Sequence, residues 1–253
     1  MKTILKIFLS LFLIVHASFA QDTLYVYKAG AVAYKSEISS VDSVTFKKVY
    51  APKPITITDI DGNVYQTVKI GTQTWMASNL RVTHYRNGEV IPNLTVGSDW
   101  ANTGIGAWCD YSNLAANGNK YGHLYNWYAV SDTRNLAPTG WHIATLTDLA
   151  TLKNYLGGAN VAGGKLKESG TNNWVSPNQG ATNETGFSAL PGGDCWYGNG
   201  TFENVNYYGF WWTSNNSTTD HAYSFRMKND NSILDDTWTL IKSNGLSVRC
   251  VKD

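Results

Sequence analysis

Three runs near the end of the chain carry the strongest pattern of apolar and polar positions. Residues 208–214 (YGFWWTS) are dense in aromatics, 221–227 (HAYSFRM) alternate, and 246–252 (LSVRCVK) place Leu246, Val248 and Cys250 two apart, with Val251 after them. Aromatic and β-branched residues at period two suit a pleated surface with one dry and one wet face. Clusters of Gly, Asn, Ser and Asp separate the runs, as antiparallel connections require. The pattern predicts a closing antiparallel sheet with its last strand inside it. The residues between the second and third runs, including Asp235 and Asp236, read as an acidic connection.

Earlier in the chain, 23–28, 32–34 and 41–47 read as short strands. Residues 55–58 and 64–68 flank Asp61-Gly62, a hairpin signal. The acidic run 59–63 invites a calcium reading, but Gly62 falls fourth rather than sixth and Ile70 holds the twelfth position, so turn chemistry explains it better. Leu124, Trp127 and Tyr128 predict a short helix over 121–130. Thr145 and Asp148 have capping-box spacing before Leu149, Leu152 and Leu156, and Gly157-Gly158 stop that helix. Residues 161–180 read as a polar, glycine-rich loop, 187–193 as a short strand and turn, and 194–207 as a loop carrying aromatics. The stretch up to about Lys120 is long for a loop, so it is expected to be either functional or packed by its own Trp100, Trp108 and Tyr111.

Domain organisation follows. Residues 1–20 have Lys2 and Lys6, an apolar run over 7–15 and Ser18-Phe19-Ala20, the layout of a secretory signal. A small β segment covers 21–50, Pro52 and Pro54 stiffen a linker at 51–54, and the main domain spans 55–253. No run after the leader is long enough to span a bilayer.

Composition narrows the function classes. The chain of 253 residues is 43% hydrophobic with ten Trp and fifteen Tyr, so aromatics supply both core and surface. A net charge of +1, or −1 once Lys2 and Lys6 are removed, and the lack of a basic stripe argue against nucleic acid. Cys109, Cys195 and Cys250 show no CxxC spacing and make a poor metal site. An exported chain permits a disulfide, and sequence alone leaves the pairing open. His142 has no second ligand at metal spacing and reads as an oriented structural residue. No metal or other cofactor is expected.

Several motifs extend this reading. Residues 59–65 (DIDGNVY), 70–76 (IGTQTWM), 121–128 (YGHLYNWY), 163–167 (GGKLK), 190–193 (LPGG) and 247–251 (SVRCV) resemble the Fibrobacter succinogenes major paralogous domain, found in exported proteins of Fibrobacter and Bacteroidetes. The resemblance covers residues 55–253 and implies an architecture and a location rather than a reaction. The element order also looks like the C-type lectin-like fold: an α+β domain with two short helices, a twisted antiparallel sheet and long loops. The sugar-binding lectins' calcium motifs are absent. The formylglycine-generating enzymes, which share that general fold, need two neighbouring cysteines where this chain has only Cys195. The resemblance further implies a Cys109–Cys250 disulfide, with Cys195 left over.

The expected function is a non-catalytic secreted, periplasmic or cell-surface module. Its partner would be an extracellular glycan or protein, engaged through Trp174, Trp196, Tyr197, Tyr207 and Trp238. A purely structural surface domain is the second reading. An enzyme is the third, weakened because no metalloprotease, nucleophile-elbow or phosphate-loop motif occurs and no catalytic residue stands out.

Overall fold

The computed structural model describes residues 23–28, 31–37 and 55–253. The chain divides into two compact units, Met1–Lys53 and Pro54–Asp253. In the first, β1 (Thr23–Lys28) pairs antiparallel with β2 (Ala31–Glu37) around a bulge at Val26/Tyr27. The expected leader at 1–20, the run at 41–47 and the linker at 51–54 lie outside the described residues.

The second unit opens with β3 (Thr56–Thr58), β4 (Val64–Ile70) and β5 (Gln73–Met76). Next come α1 (Gly97–Asn102), β6 (Trp108–Cys109), α2 (Ala115–Tyr121), β7 (Leu124–Tyr125) and α3 (Trp127–Val130). β8 (Trp141–Ile143), α4 (Leu146–Leu156), α5 (Ala159–Leu166), β9 (Asp194–Cys195) and β10 (Phe202–Glu203) follow. β11 (Tyr208–Asn216), β12 (His221–Lys228), β13 (Asp235–Ile241) and β14 (Cys250–Lys252) complete it. The unit is α+β, with five short helices rather than the two expected. Its strands form a five-stranded sheet in the order β3-β4-β5-β14-β8, a three-stranded sheet β11-β12-β13, and the pairs β6-β7 and β9-β10.

The β3–β4 hairpin forms where turn chemistry placed it. Asp59 Oδ1 accepts from the N–H groups of Asp61 (3.0 Å) and Asn63 (2.9 Å), and Gly62 sits at φ 81°. The carboxylate is thus spent on the turn. α4 also follows its signals: Thr145 and Asp148 cap each other's backbone, Leu149, Leu152 and Leu156 are buried, and Gly157 closes it at φ 97°. Each buried leucine contributes about 1.5–3 kcal/mol.

Elsewhere the structure departs from the pattern. The helix expected over 121–130 is split into β7 and the short α3, because Asn126 takes an extended backbone and its side chain accepts from Ala129 N–H as an N-cap. The glycine-rich stretch contains α5, whose composition disfavours helix. Its glycines permit close approach: a Cβ on Gly163 would lie 2.3 Å from the Ile233 carbonyl oxygen, and one on Gly164 2.5 Å from that of Gly180. The acidic connection opens into β13, and 187–193 makes only isolated bridges, Ala189 to Lys167 and Gly193 to Gly209.

The three closing runs do not share one sheet. β11 pairs with β12 and β12 with β13, whereas Val251 of β14 pairs with Trp75 of β5 on one side and His142 of β8 on the other. The segment leading to β14 runs between two cores. Leu246, Val248 and Cys250 face one, with Tyr65, Tyr125, Phe210 and Trp212. Val251 faces the second, with Trp75, Trp174, Phe187, Trp211 and the α4 leucines. Both faces are therefore dry, and the alternating polar residues Ser247 and Arg249 are 1% exposed.

Candidate functional site

The polar residues of the motifs are directed inward. Arg249 has its guanidinium enclosed with no carboxylate beside it. Nε (2.9 Å) and Nη2 (2.7 Å) donate to Asn79 Oδ1, and Nη1 donates to the carbonyls of Met76 (2.9 Å) and Phe187 (2.7 Å). The guanidinium also lies 4.1 Å from the centre of the Phe187 ring. Burial lowers its pKa to about 9, which still leaves it charged at neutral pH. Lys167 repeats the device: its ammonium donates to the carbonyls of Gln179 (3.1 Å), Lys228 (2.9 Å) and Asn231 (2.8 Å), and burial lowers it to about 8. Lys242 donates to the carbonyls of Thr218 (3.0 Å) and Thr219 (2.8 Å) over the face of Trp127. Each cation gathers carbonyls that a polar, loop-rich chain would otherwise bury unpaired. These residues hold loops in place and present nothing to a ligand.

The five aromatics expected at a binding surface part company. Trp174 is wholly buried: its indole N–H donates to the Ala189 carbonyl at 3.0 Å, and Lys167 lies 5.3 Å from its ring centre. It is a core residue, because the loop that carries it folds back onto α5 and the second core. Trp196 (39%), Tyr207 (51%) and Trp238 (41%) are exposed. Tyr197 is half-buried, its ring 4.6 Å from that of Trp196. The Trp196–Tyr197 pair sits on a tight turn closed by Trp196 N–H to the Thr201 carbonyl (2.7 Å) and anchored by Tyr197 N–H to Asn244 Oδ1 (3.0 Å).

Trp238 belongs to a larger arrangement on the three-stranded sheet. Register places Tyr208 opposite Lys228, Phe210 opposite Arg226, and Ser224 opposite Trp238, so these side chains share a face. On β11 Phe210 joins the first core, whereas on β13 Trp238 is exposed. There the Arg226 guanidinium lies 3.5 Å from the Trp238 ring centre and 5.8 Å from that of Tyr208. Arg226 Nε and Nη2 each lie 3.2 Å from Asp235 Oδ2, which fixes the guanidinium over the indole. Burial works against the Asp235 charge, but Thr237 and Arg226 outweigh it and hold the carboxyl below its usual range. Tyr208, Arg226, Lys228, Asn231, Ile233 and Asp235 line a shallow groove of about 100 Å³. Tyr208 and Arg226 were legible as strand residues only. The signal for their role is cross-strand register, which needs β13.

The cysteines and His142 have structural surroundings. All three thiols are free and buried. Cys250 lies in the first core and Cys109 in a separate cluster with Cys195, Trp100 and Leu124, so the Cys109–Cys250 bond is not formed; β14 carries Cys250 into the five-stranded sheet instead. His142 Nδ1 is 2.7 Å from Asp253 Oδ1, and Nε2 is 3.0 Å from Asp148 Oδ2. Among the described residues no group of three or more His, Cys, Asp or Glu is placed to hold a metal ion. No described helix is long and apolar enough to cross a membrane.

The fold and its surface define an α+β domain whose motif residues serve internal architecture and whose open sheet face and one turn carry the exposed Trp238 and Trp196. The chain belongs to the family described as the Fibrobacter succinogenes major domain, which matches residues 68–252. No curated protein and no solved structure matches it.

Proposed function

We propose that this chain is a non-catalytic, secreted or cell-surface binding module of lectin-like architecture that takes a glycan ligand on its three-stranded sheet. The observation that carries the reading is the Arg226–Trp238 stack beside Tyr208. An indole held flat by a guanidinium at 3.5 Å while 41% exposed offers a rigid ring face at little conformational cost. Sugar rings stack on such faces, and Lys228, Asn231 and Asp235 at the groove supply donors and acceptors for hydroxyls. Trp196 and Tyr197 form a second exposed pair. The leader-like residues 1–20 support export.

A glycan array probed with the purified protein, Trp238→Ala and Trp196→Ala tests this. The expected result is selective glycan binding that falls at least tenfold in Trp238→Ala, the usual effect of an aromatic hot spot. A protein that binds no glycan, or binds equally well without Trp238, would sink the reading. Capture of a protein ligand through the same face would move it to protein recognition.

A further inference from the structure

We propose that Cys109 and Cys195 are a disulfide-forming pair, and that their bond ties β6 to the base of the Trp196–Tyr197 turn. The structure divides the three cysteines unequally. Cys109 on β6 and Cys195 on β9 lie in one small cluster, 0% and 1% exposed, whereas Cys250 is buried in the first core among Tyr65, Met76 and Tyr125. Cys195 is the thiol nearest in effect to Cys109 within that cluster: burial and then the Cys195 thiol push the Cys109 pKa up. The charges that act on the Cys250 thiol are those of Arg249, Arg86 and Asp59, and no second thiol is among the groups that shift it.

The backbone around the pair is held from both sides. Cys109 pairs with Leu124 in the β6–β7 ladder. Cys195 exchanges two backbone hydrogen bonds with Gly245, at 2.9 and 2.8 Å. A Cβ on Gly245 would lie 2.7 Å from Trp100 Cζ2 and 2.8 Å from Cys195 Cβ, so a glycine is required for this packing. The thiols are thus brought together by elements fixed independently of them, which favours pairing over scrambling. Trp196 follows Cys195 directly, so the link would anchor the turn that bears the exposed rings. The pairing itself does not rest on the glycan reading.

The bond forms by thiol–disulfide exchange with a disulfide donor such as oxidised glutathione or a dithiol oxidase. One thiolate attacks the donor disulfide, making a mixed disulfide and releasing one donor thiolate. The second cysteine thiolate displaces the other donor thiolate and closes the Cys109–Cys195 bond. Two electrons pass to the donor, and the two cysteine protons end on its thiols. Because both thiols are buried once folded, exchange belongs to the folding phase.

The test is to refold the full chain from the reduced, denatured state in a glutathione redox buffer. Acid quenching, alkylation under denaturing conditions and non-reducing peptide mapping then follow. The expected result is a Cys109–Cys195 linked peptide, one alkylated thiol at Cys250, and a Tm several degrees above that of the reduced protein. Cys250→Ser should give the same linked peptide whether or not its stability is reduced. Three alkylated thiols in folded wild-type protein, or a principal linkage that includes Cys250, would overturn the proposal.

Discussion

Arg249 and Asn79 are joined by two hydrogen bonds to a single oxygen, Asn79 Oδ1, at 2.9 and 2.7 Å across 170 positions of sequence. The same oxygen accepts from the Trp211 indole N–H at 2.8 Å, and Asn79 Nδ2 donates to the Tyr121 carbonyl at 2.7 Å. One amide therefore connects the segment after β5, the end of α2, β11 and the approach to β14. Removing the guanidinium in Arg249→Met leaves the carbonyls of Met76 and Phe187 buried without their donor. The expected loss is about 2–6 kcal/mol, at about 1–3 kcal/mol for each buried carbonyl left unpaired. Urea denaturation measures it, and a loss below about 1 kcal/mol would show that the clamp is dispensable.

Two tryptophans in superficially similar loops should behave in opposite ways. Trp174→Ala empties a buried site and removes the ring beneath Lys167, for an expected cost of about 3–5 kcal/mol. Trp196→Ala, at an exposed turn, should change stability by about 0.5 kcal/mol. Thermal melts of both variants check the contrast; equal losses would contradict the burial pattern.

Asp194 is a carboxyl kept from water. Burial raises its pKa to about 6, with Asn204 Nδ2 opposing at 2.8 Å and the Glu203 charge adding to the rise. A raised carboxyl binds more protons folded than unfolded. Its contribution therefore favours the fold at acid pH and is lost as pH climbs from the ordinary 3.8 through 6. The gap corresponds to about 3 kcal/mol at most. Asp194→Asn should flatten stability between pH 4 and 7 and leave the variant more stable than wild type at neutral pH. Denaturation midpoints across that range test it, and an unchanged pH slope would refute the assignment.

His142 works in the opposite sense from Asp148, whose carboxyl is held below its usual range. Burial disfavours its cation, but hydrogen bonds to Asp253 and Asp148 outweigh that and raise its pKa above 6.5. The stability it contributes is complete below 6.5 and fades as pH rises through the folded value. Replacement by Gln should remove this dependence and speed hydrogen exchange at Val251 and Lys252 below pH 6.5. Exchange rates that do not distinguish the variant from wild type would exclude a role in holding β14.

Local chemistry made part of this fold readable. The Asp59 turn and the Thr145/Asp148 cap are decided within a few residues, and sequence shows them directly. α5 was hidden because its glycines are chosen for close contact with Ile233 and Gly180, far along the chain. β13 was hidden because Asp235 and Asp236 mask its start; Asp236 is held by Lys153 of α4 at 2.5 Å. For the same reason the Arg226–Trp238 stack could not be seen, since it exists only once β12 and β13 are in register. Trp174 looked like a surface ring because its neighbours are polar, yet the loop turns it into the second core and its indole N–H onto the Ala189 carbonyl.

The place of β14 has a consequence for how the molecule comes into being. β5 and β8 are not neighbours in the sheet and are joined through residues 250–252 only once β14 has docked between them. Neither core can close before then, since Leu246, Val248 and Cys250 belong to one and Val251 to the other. Trp75, His142 and Val251 must therefore meet from distant positions before either interior fills, and such contacts form slowly. Any product cut short before Leu246 is an open chain with two unfilled interiors, and a protease meets it as such.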